Sequence, residues 1–191
     1  MIDVAISHIA AQLNQSLRRN LQVGEDLVVV SNIVEQDGTL AQHVANKLVV
    51  SLVNIERDTL PHRGSAHSGT GLGRLGQNPE PLYLNLLLMF AANFAGGNYV
   101  EALKFISATV AFFQGRPVLD HASSPELDAR IERLVLEIEN LALSDLSNLW
   151  SILSGKYVPS VLYRVRMVAV DSSQISGQVS RVGSPRIATG A

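Results

Sequence analysis

The chain has 191 residues, 47% of them hydrophobic and 17% charged, which is typical of one globular domain with a sizeable core. Its formal net charge of −2 gives no general case for nucleic-acid binding, which calls for a basic domain. Because it has no cysteine, it can form no disulfide, cysteine-ligated zinc site or thiol nucleophile. The first residues lack a basic segment, so we expect no signal peptide, and no apolar run reaches the ~18 residues of a membrane helix.

The first third of the chain predicts one helix and two strands. An amphipathic helix is expected over residues 1–20, with an apolar face made of Ile2, Ile6, Ile9, Ala10, Leu13 and Leu17. The β-branched run 27–34 and the alternating run 47–56 predict strands. Between them residues 35–38 predict a turn, because Gly38 can take a positive φ without steric cost.

Residues 57–80 have no apolar period and contain two prolines and five glycines, so we predict an exposed, mobile loop. Gly71, Gly73 and Gly76 match the G-x-G-x-x-G pattern, but no predicted strand leads into them and no helix follows. His62 and His67 lack a third donor that could complete a metal site. We therefore predict neither a nucleotide site nor a metal site in this loop.

The middle of the chain predicts a strand followed by a helix. Residues 82–94 alternate between a leucine-rich face and a second face with Tyr83, Leu87 and Met89, so both faces should be covered near the middle of the strand. A turn at residues 96–98 then leads into a helix over 99–114. The residues expected to point inward are Ala102, Leu103, Ile106, Val110 and Phe113.

Residues 130–141 fit two periods, since their apolar side chains recur at helical spacing and also alternate. We choose a strand over 132–140, because the segment lies between two predicted helices and beside a strand that needs a partner. Ser124 and Pro125 just before it look like the N-cap and first turn of a helix.

Residues 143–170 predict a helix and a strand that pack together and close the fold. Ser144 is the expected N-cap, and Gly155 the expected stop. Between them an apolar stripe is formed by Leu146, Leu149, Trp150 and Leu153. After Pro159 the pattern has period two, with Val161, Tyr163, Val165, Met167 and Ala169 on one face and Leu162, Arg164, Arg166 and Val168 on the other.

These elements predict an α+β fold in which helices pack on a mostly antiparallel or mixed sheet. We assign residues 1–170 to a single domain. Residues 171–191 are rich in serine and glycine, and we predict a flexible C-terminal tail or an arm that orders against a neighbour.

The sequence shows no recognisable catalytic motif. Glu137 and Glu139 would share one strand face, which an exposed surface explains better than acid–base catalysis. Arg164 and Arg166 also share a face, but a phosphate or nucleic-acid site would need more positive charge and interleaved aromatic residues. We therefore favour a strand face that is either solvated or directed at a partner. The candidate residues of a partner interface are Trp150, Lys156, Tyr157, Arg164 and Arg166.

Several stretches resemble one known family, the DUF4255 family, which is similar to the N-terminal domain of the sixteenth gene product of phage-tail-like contractile injection systems. The resemblance covers the chain up to about residue 170. Besides the opening stretch, it rests on the segments I-V-E-Q-D-G (33–38), V-V-S-L-V-N-I-E-R-D (49–58), P-L-Y-L-N-L-L-L-M-F-A-A-N-F (81–94), Y-V-E-A-L-K-F-I-S-A-T-V-A-F-F-Q (99–114) and L-S-N-L-W…K-Y-x-P-S-V-x-Y-R-V-R-M (146–167).

The resemblance implies a tail terminator, or cap. Such proteins form a hexameric ring on the last ring of the inner tube and sheath, stop polymerisation and hold the sheath extended. The implied partners are copies of itself, the inner-tube protein and the sheath protein. The resemblance implies no cofactor, catalysis, nucleic acid or membrane, and it implies assembly in the bacterial cytoplasm as a component of the injection particle. Some relatives run longer at the C-terminus, and functions tied to such an extension are not carried over.

Two further hypotheses concern the segments without a predicted element. We expect the loop 57–80 to order against the tube or sheath, and residues 171–191 to reach a neighbouring subunit or the sheath. Two alternatives to the cap remain open at this point. One is another ring or adaptor protein of the same machine, and the other is a small ligand-binding domain that uses the Gly-rich loop 64–76.

Overall fold

The structure is a computed structural model that describes residues 1–35, 37–58, 74–76, 82–153, 156–169 and 178–180. Within these residues the chain forms three helices and eight strands. In chain order they are α1 (Ile2–Leu21), β1 (Val28–Val30), β2 (Lys47–Arg57), β3 (Arg74–Gly76), β4 (Leu82–Asn93), α2 (Tyr99–Gly115), β5 (Val118–Asp120), β6 (Ile131–Ile138), α3 (Leu143–Ile152), β7 (Ser160–Ala169) and β8 (Gln178–Ser180).

Six of the strands form one mixed sheet in the order β1-β2-β4-β7-β6-β5. β1 runs parallel to β2, and the other neighbouring pairs are antiparallel. β3 and β8 pair with each other in a separate antiparallel ladder. The prediction of an α+β fold, with helices on a mostly antiparallel or mixed sheet, is confirmed.

The first face of the six-stranded sheet carries α1, α2 and the main core. The predicted apolar face of α1 is buried, and its Ile9, Leu13 and Leu17 are fully inaccessible. At the centre lie three aromatic rings, Phe90 of β4, Phe113 of α2 and Tyr163 of β7, with centroids 5.0, 5.2 and 5.5 Å apart. These tilted and edge-on contacts tie α2 to the two central strands of the sheet.

The long strands lie where the alternating patterns predicted them. In β4 the side chains of both faces are buried near the middle, as the central position of the strand requires. The choice of a strand for 132–140 is confirmed by β6, which pairs with β7 from Ile131↔Ala169 to Ile138↔Tyr163. The apolar and mixed faces of β7 are also as predicted, with Tyr163, Val165 and Met167 in the main core.

Two predicted elements are shorter or absent. The run 27–34 is a strand only over Val28–Val30, after which the chain turns and Val34 forms a bridge with Leu40. Gly38 lies in that turn with φ +82°, as expected. The expected helix at Ser124 is wrong: the amides of Ala122 and Ser123 donate to the carboxylate of Asp120, and this local bonding forms a turn instead.

The inward face of α2 was predicted only in part: Ala102 and Phe113 are buried as expected, but Phe105 and Thr109 were missed and Leu103 was wrongly included. Its buried residues are Ala102, Phe105, Thr109 and Phe113, whereas Leu103 is 42% exposed. The error has a physical cause, because α2 carries apolar side chains on its outer face as well, so hydrophobicity alone does not show which face is buried.

Details of the remaining segments also differ from expectation. The N-cap of α3 is Ala142, and Ser144 instead donates a hydrogen bond to Asp145 at 3.4 Å. Gly155, the predicted stop, lies outside the described residues.

β3 and β8 are short strands in the two segments for which we predicted none, and most of 59–81 and 170–191 lies outside the described residues. The division into a domain and a tail stays a prediction.

Buried His8 of α1 leads to a prediction about pH. The imidazole is 9% exposed, and desolvation lowers its pKa below the ordinary value, although the nearby charge of Glu126 opposes this shift. Since the folded state binds the proton less readily than the unfolded state, the free energy of unfolding should fall as pH drops below about 6.5, the ordinary pKa of histidine.

The comparison for this prediction is the variant His8→Gln, which keeps a polar side chain but does not titrate. Urea unfolding at pH 7.5 and pH 5.5 should show a smaller loss of stability on acidification for His8→Gln than for the wild type. The contributions of the other titrating groups are the same in both proteins, so they cancel when the two losses of stability are compared. Equal losses in the two proteins would contradict the role assigned to His8.

Candidate functional site

The second face of the six-stranded sheet is divided into an apolar half and a charged half. The apolar half is covered by α3 and by residues 31–35 and 37–46. Its buried core is formed by Ile33, Ala41, Val44, Val49, Met89, Ala91, Trp150 and Leu162. α3 packs on this core through the stripe predicted from the sequence, and Trp150 is its one buried residue.

An uncharged groove lies beside α3 on this face. It has a volume of about 500 Å³ and is lined by Leu143, Leu146, Ser147, Trp150, Ser151 and Tyr157. The rings of Trp150 and Tyr157 meet edge to face, with centroids 5.8 Å apart. Leu143 at one end of the groove is 85% exposed, and Tyr157 is 61% exposed. We call this surface the α3 groove.

Trp150 forms the floor of the α3 groove and leaves little of its own surface open. It is only 4% exposed, and its indole Nε1 has no hydrogen-bond partner among the described residues. Of the candidate interface residues, Tyr157 and Lys156 are therefore the exposed ones at this end of the face. Trp150 lies below this exposed surface, where its ring contacts the Tyr157 ring and anchors α3 to the core of the second face.

Ion pairs that connect β7 with β2 and with the C-terminal end of β6 cover the charged half of the face. The Nε of Arg164 donates to the carboxylate of Glu139 at 2.8 Å, and its Nη1 lies 3.9 Å from Glu56. Arg166 lies 3.2 Å from Glu137. The hydrogen bond to Glu139 raises the pKa of Arg164 above its ordinary value, so the guanidinium stays charged. The two glutamates that could have formed an acid–base pair are each engaged by an arginine instead.

The five candidate interface residues therefore fall into two groups. Trp150 and Tyr157 are in contact at the α3 groove, and exposed Lys156 precedes Tyr157 in the chain. Arg164 and Arg166 lie further along β7, on the charged half, and are partly exposed while paired with carboxylates of the same chain. The ion pairs could not be read from the sequence, because they depend on the register between β6 and β7.

A second surface, with few charges, was missed in the sequence and lies on the outer side of α2. Here Tyr99, Val100 and Leu103 are 58%, 62% and 42% exposed. The only charged residues of this 17-residue helix, Glu101 and Lys104, form a salt bridge with each other at 2.7 Å. The near absence of charge was a signal that the whole helix, and not one face, is suited to burial.

The predictions that the chain has no metal site and no nucleotide site can be compared with the structure only over the described residues. Within the described ranges no three histidine, cysteine or carboxylate side chains are grouped as a metal site would require. His62, His67, Gly71 and Gly73 lie outside those ranges, while Gly76 ends strand β3. None of the helices in the described part of the chain has the length and apolarity needed to cross a bilayer.

This mixed sheet with helices on both faces is the fold of tube-terminating proteins of contractile injection systems. The chain is similar to the "PVC sheath/tube terminator in extended state" of an extracellular contractile injection system, with a TM-score of 0.57 and 15% identity over 97% of this chain and 65% of that one. It is also similar to the "anti-feeding prophage cap (AFP tube terminating cap)", with a TM-score of 0.57 and 16% identity over 93% of this chain and 60% of that one.

Residues 6–184 match the model of the Pvc16 N-terminal domain, so the chain belongs to the Pvc16 N-terminal domain family. The family resemblance drawn from the sequence is confirmed. No curated protein matches the sequence. The chain spans less than two thirds of the length of either solved terminator, since it covers 65% of one and 60% of the other.

Proposed function

We propose that this chain is a tail terminator: a structural protein that forms a ring at the end of the inner tube of a contractile injection system and anchors the end of the sheath. The observation that carries this proposal is the match of nearly the whole chain to one family, together with the shared fold of two tube-terminating proteins. The partners are copies of itself in a hexameric ring, the inner-tube protein and the sheath protein.

The surfaces of the described residues suit a role in assembly and not in catalysis. The groove beside α3 is lined by apolar and hydroxyl side chains and contains no acid, base or nucleophile–base pair. The carboxylates on the charged half are paired with arginines. A ring protein needs distinct surfaces for its neighbours and for the polymer that it ends, and both α2 and α3 present such surfaces. The protein assembles in the bacterial cytoplasm and remains part of the particle.

The test is to polymerise the inner-tube protein of the same particle with and without the purified chain. We expect shorter tubes with the chain bound at one end, and a native mass of six times the 20.6 kDa chain for the ring. Gold labelling on intact particles should place the chain at the end distant from the baseplate. Labelling at the baseplate, or tube lengths that do not change, would contradict the proposal and favour an adaptor role.

A further inference from the structure

One edge of α1 meets the turn that joins β5 to β6, which consists of residues 121–130. His8 and Gln12 lie one helical turn apart on this edge, and the side-chain amide of Gln12 donates to the carboxylate of Glu126 at 3.2 Å. His8 is 9% exposed, and its Nε2 is buried without a hydrogen-bond partner among the described residues. A buried titratable ring therefore lies where α1 meets the turn.

The surroundings of His8 are poorly suited to a positive charge. Glu126 is the charged group whose field acts on His8. The strand β1, which packs on α1, has no charged residue. The other charged or titratable groups of α1, α2 and the turn are paired, hydrogen-bonded or exposed, and they are Asp3, Arg18, Arg19, Glu101, Lys104, Arg116, Asp120, His121, Asp128 and Arg130. Desolvation outweighs the attraction of Glu126, so the pKa of His8 is lowered below its ordinary value.

We propose that His8 and the turn 121–130 form a pH-sensitive latch, in which a proton on His8 releases the turn from α1 while α1 stays on the sheet. A buried cation is relieved by contact with water. α1 cannot provide that contact by moving, because its Ile9, Leu13 and Leu17 are fully inaccessible in the main core. The latch belongs to the single chain and is independent of the proposed ring.

The turn is held in place less firmly than the helix. It contributes one buried apolar side chain, that of Leu127, to the main core, whereas α1 buries seven residues. Its hydrogen bond to Gln12 is exposed, and the buried Oγ of Ser124 has no partner among the described residues. Since local opening follows the route of lowest free energy, the turn should open before α1 does.

Hydrogen exchange of the wild-type chain tests the latch. The reporters are the amides of Ser124, Leu127 and Ile131, each of which donates to a carbonyl three or four residues earlier. After correction for the intrinsic effect of pH, their opening should increase by up to about tenfold between pH 7.5 and pH 5.5. This is the limit for a histidine whose open form has the ordinary pKa of about 6.5. The amides of α1 should keep their protection, and an equal loss there would overturn the proposal.

His8→Gln should remove this dependence of the turn on pH, because glutamine does not titrate. His121→Gln is the matched control, since His121 is an exposed histidine of the same turn, and this variant should behave as the wild type does. If the turn of His8→Gln opens in acid as much as that of the wild type, His8 does not control the latch and the proposal is wrong.

NMR titration of the assigned His8 ring in the wild type needs no substitution in the core, and it should give a pKa below about 6.5. Glu126→Gln should lower this pKa further, because it removes the opposite charge but keeps a polar partner for Gln12. The contrary mechanism is an ion pair between protonated His8 and Glu126 that closes the latch in acid. A His8 pKa above 6.5, with slower exchange of the turn at pH 5.5, would establish that mechanism and overturn ours.

Discussion

Replacing Phe113 by alanine should lower the free energy of unfolding by about 3–5 kcal/mol. The Phe113 ring is 1% exposed and contacts the rings of Phe90 and Tyr163, so its removal leaves a cavity where α2 meets the two central strands. Helix propensity does not contribute to this loss, because alanine is the best helix former. Urea unfolding followed by circular dichroism measures the difference.

Phe112 offers a matched control for this substitution. It is the preceding residue of the same helix and also aromatic, but it is only partly buried and lies beneath the guanidinium of Arg116 at 6.0 Å. Phe112→Ala should therefore cost clearly less than Phe113→Ala. Equal losses for the two variants would show that the aromatic centre of the main core is not where the structure places it.

The sequence predicted the parts of this fold in which one face is buried over many residues. α1 and the strands β2, β4 and β7 each bury a regular set of side chains, so the hydrophobic period identifies both the element and its face. The strands that were missed, β3, β5 and β8, have three residues each. Three residues are too few to show a period, and what defines such a strand is its hydrogen-bonding partner elsewhere in the chain.

The candidate site was predicted in part for related reasons. The apolar stripe on α3 predicted that Trp150 packs on the sheet. It did not show that Trp150 is buried beneath Tyr157 at the floor of a groove. The pairing of Arg164 with Glu139 joins residues 25 positions apart and depends on the alignment of β6 with β7. The outer side of α2 was overlooked because exposure is a property of the assembled fold, and an apolar helix does not show in advance which face remains uncovered.

Replacing Trp150 by alanine should cost about 3–5 kcal/mol, and the loss should be concentrated in α3. The core of the second face is smaller than the main core, and Trp150 is the one buried residue through which α3 joins it. Hydrogen exchange should therefore accelerate at the amides of α3 before it changes in α1 and α2. Leu143→Ala is the control on the same helix, and because Leu143 is 85% exposed it should change stability by no more than about 0.5 kcal/mol.

Phe113→Ala and Trp150→Ala should lower stability by similar amounts but differ in their effect on assembly. Phe113 is buried in the main core and does not line the α3 groove, so Phe113→Ala should still assemble under conditions in which it is folded. Trp150→Ala removes the floor of the groove and the ring against which Tyr157 packs, so it should fail to assemble even where its main core is intact. Native mass measured below both unfolding transitions compares them directly. Normal assembly of Trp150→Ala, with α3 protected from exchange, would mean that neither α3 nor the ring depends on this tryptophan.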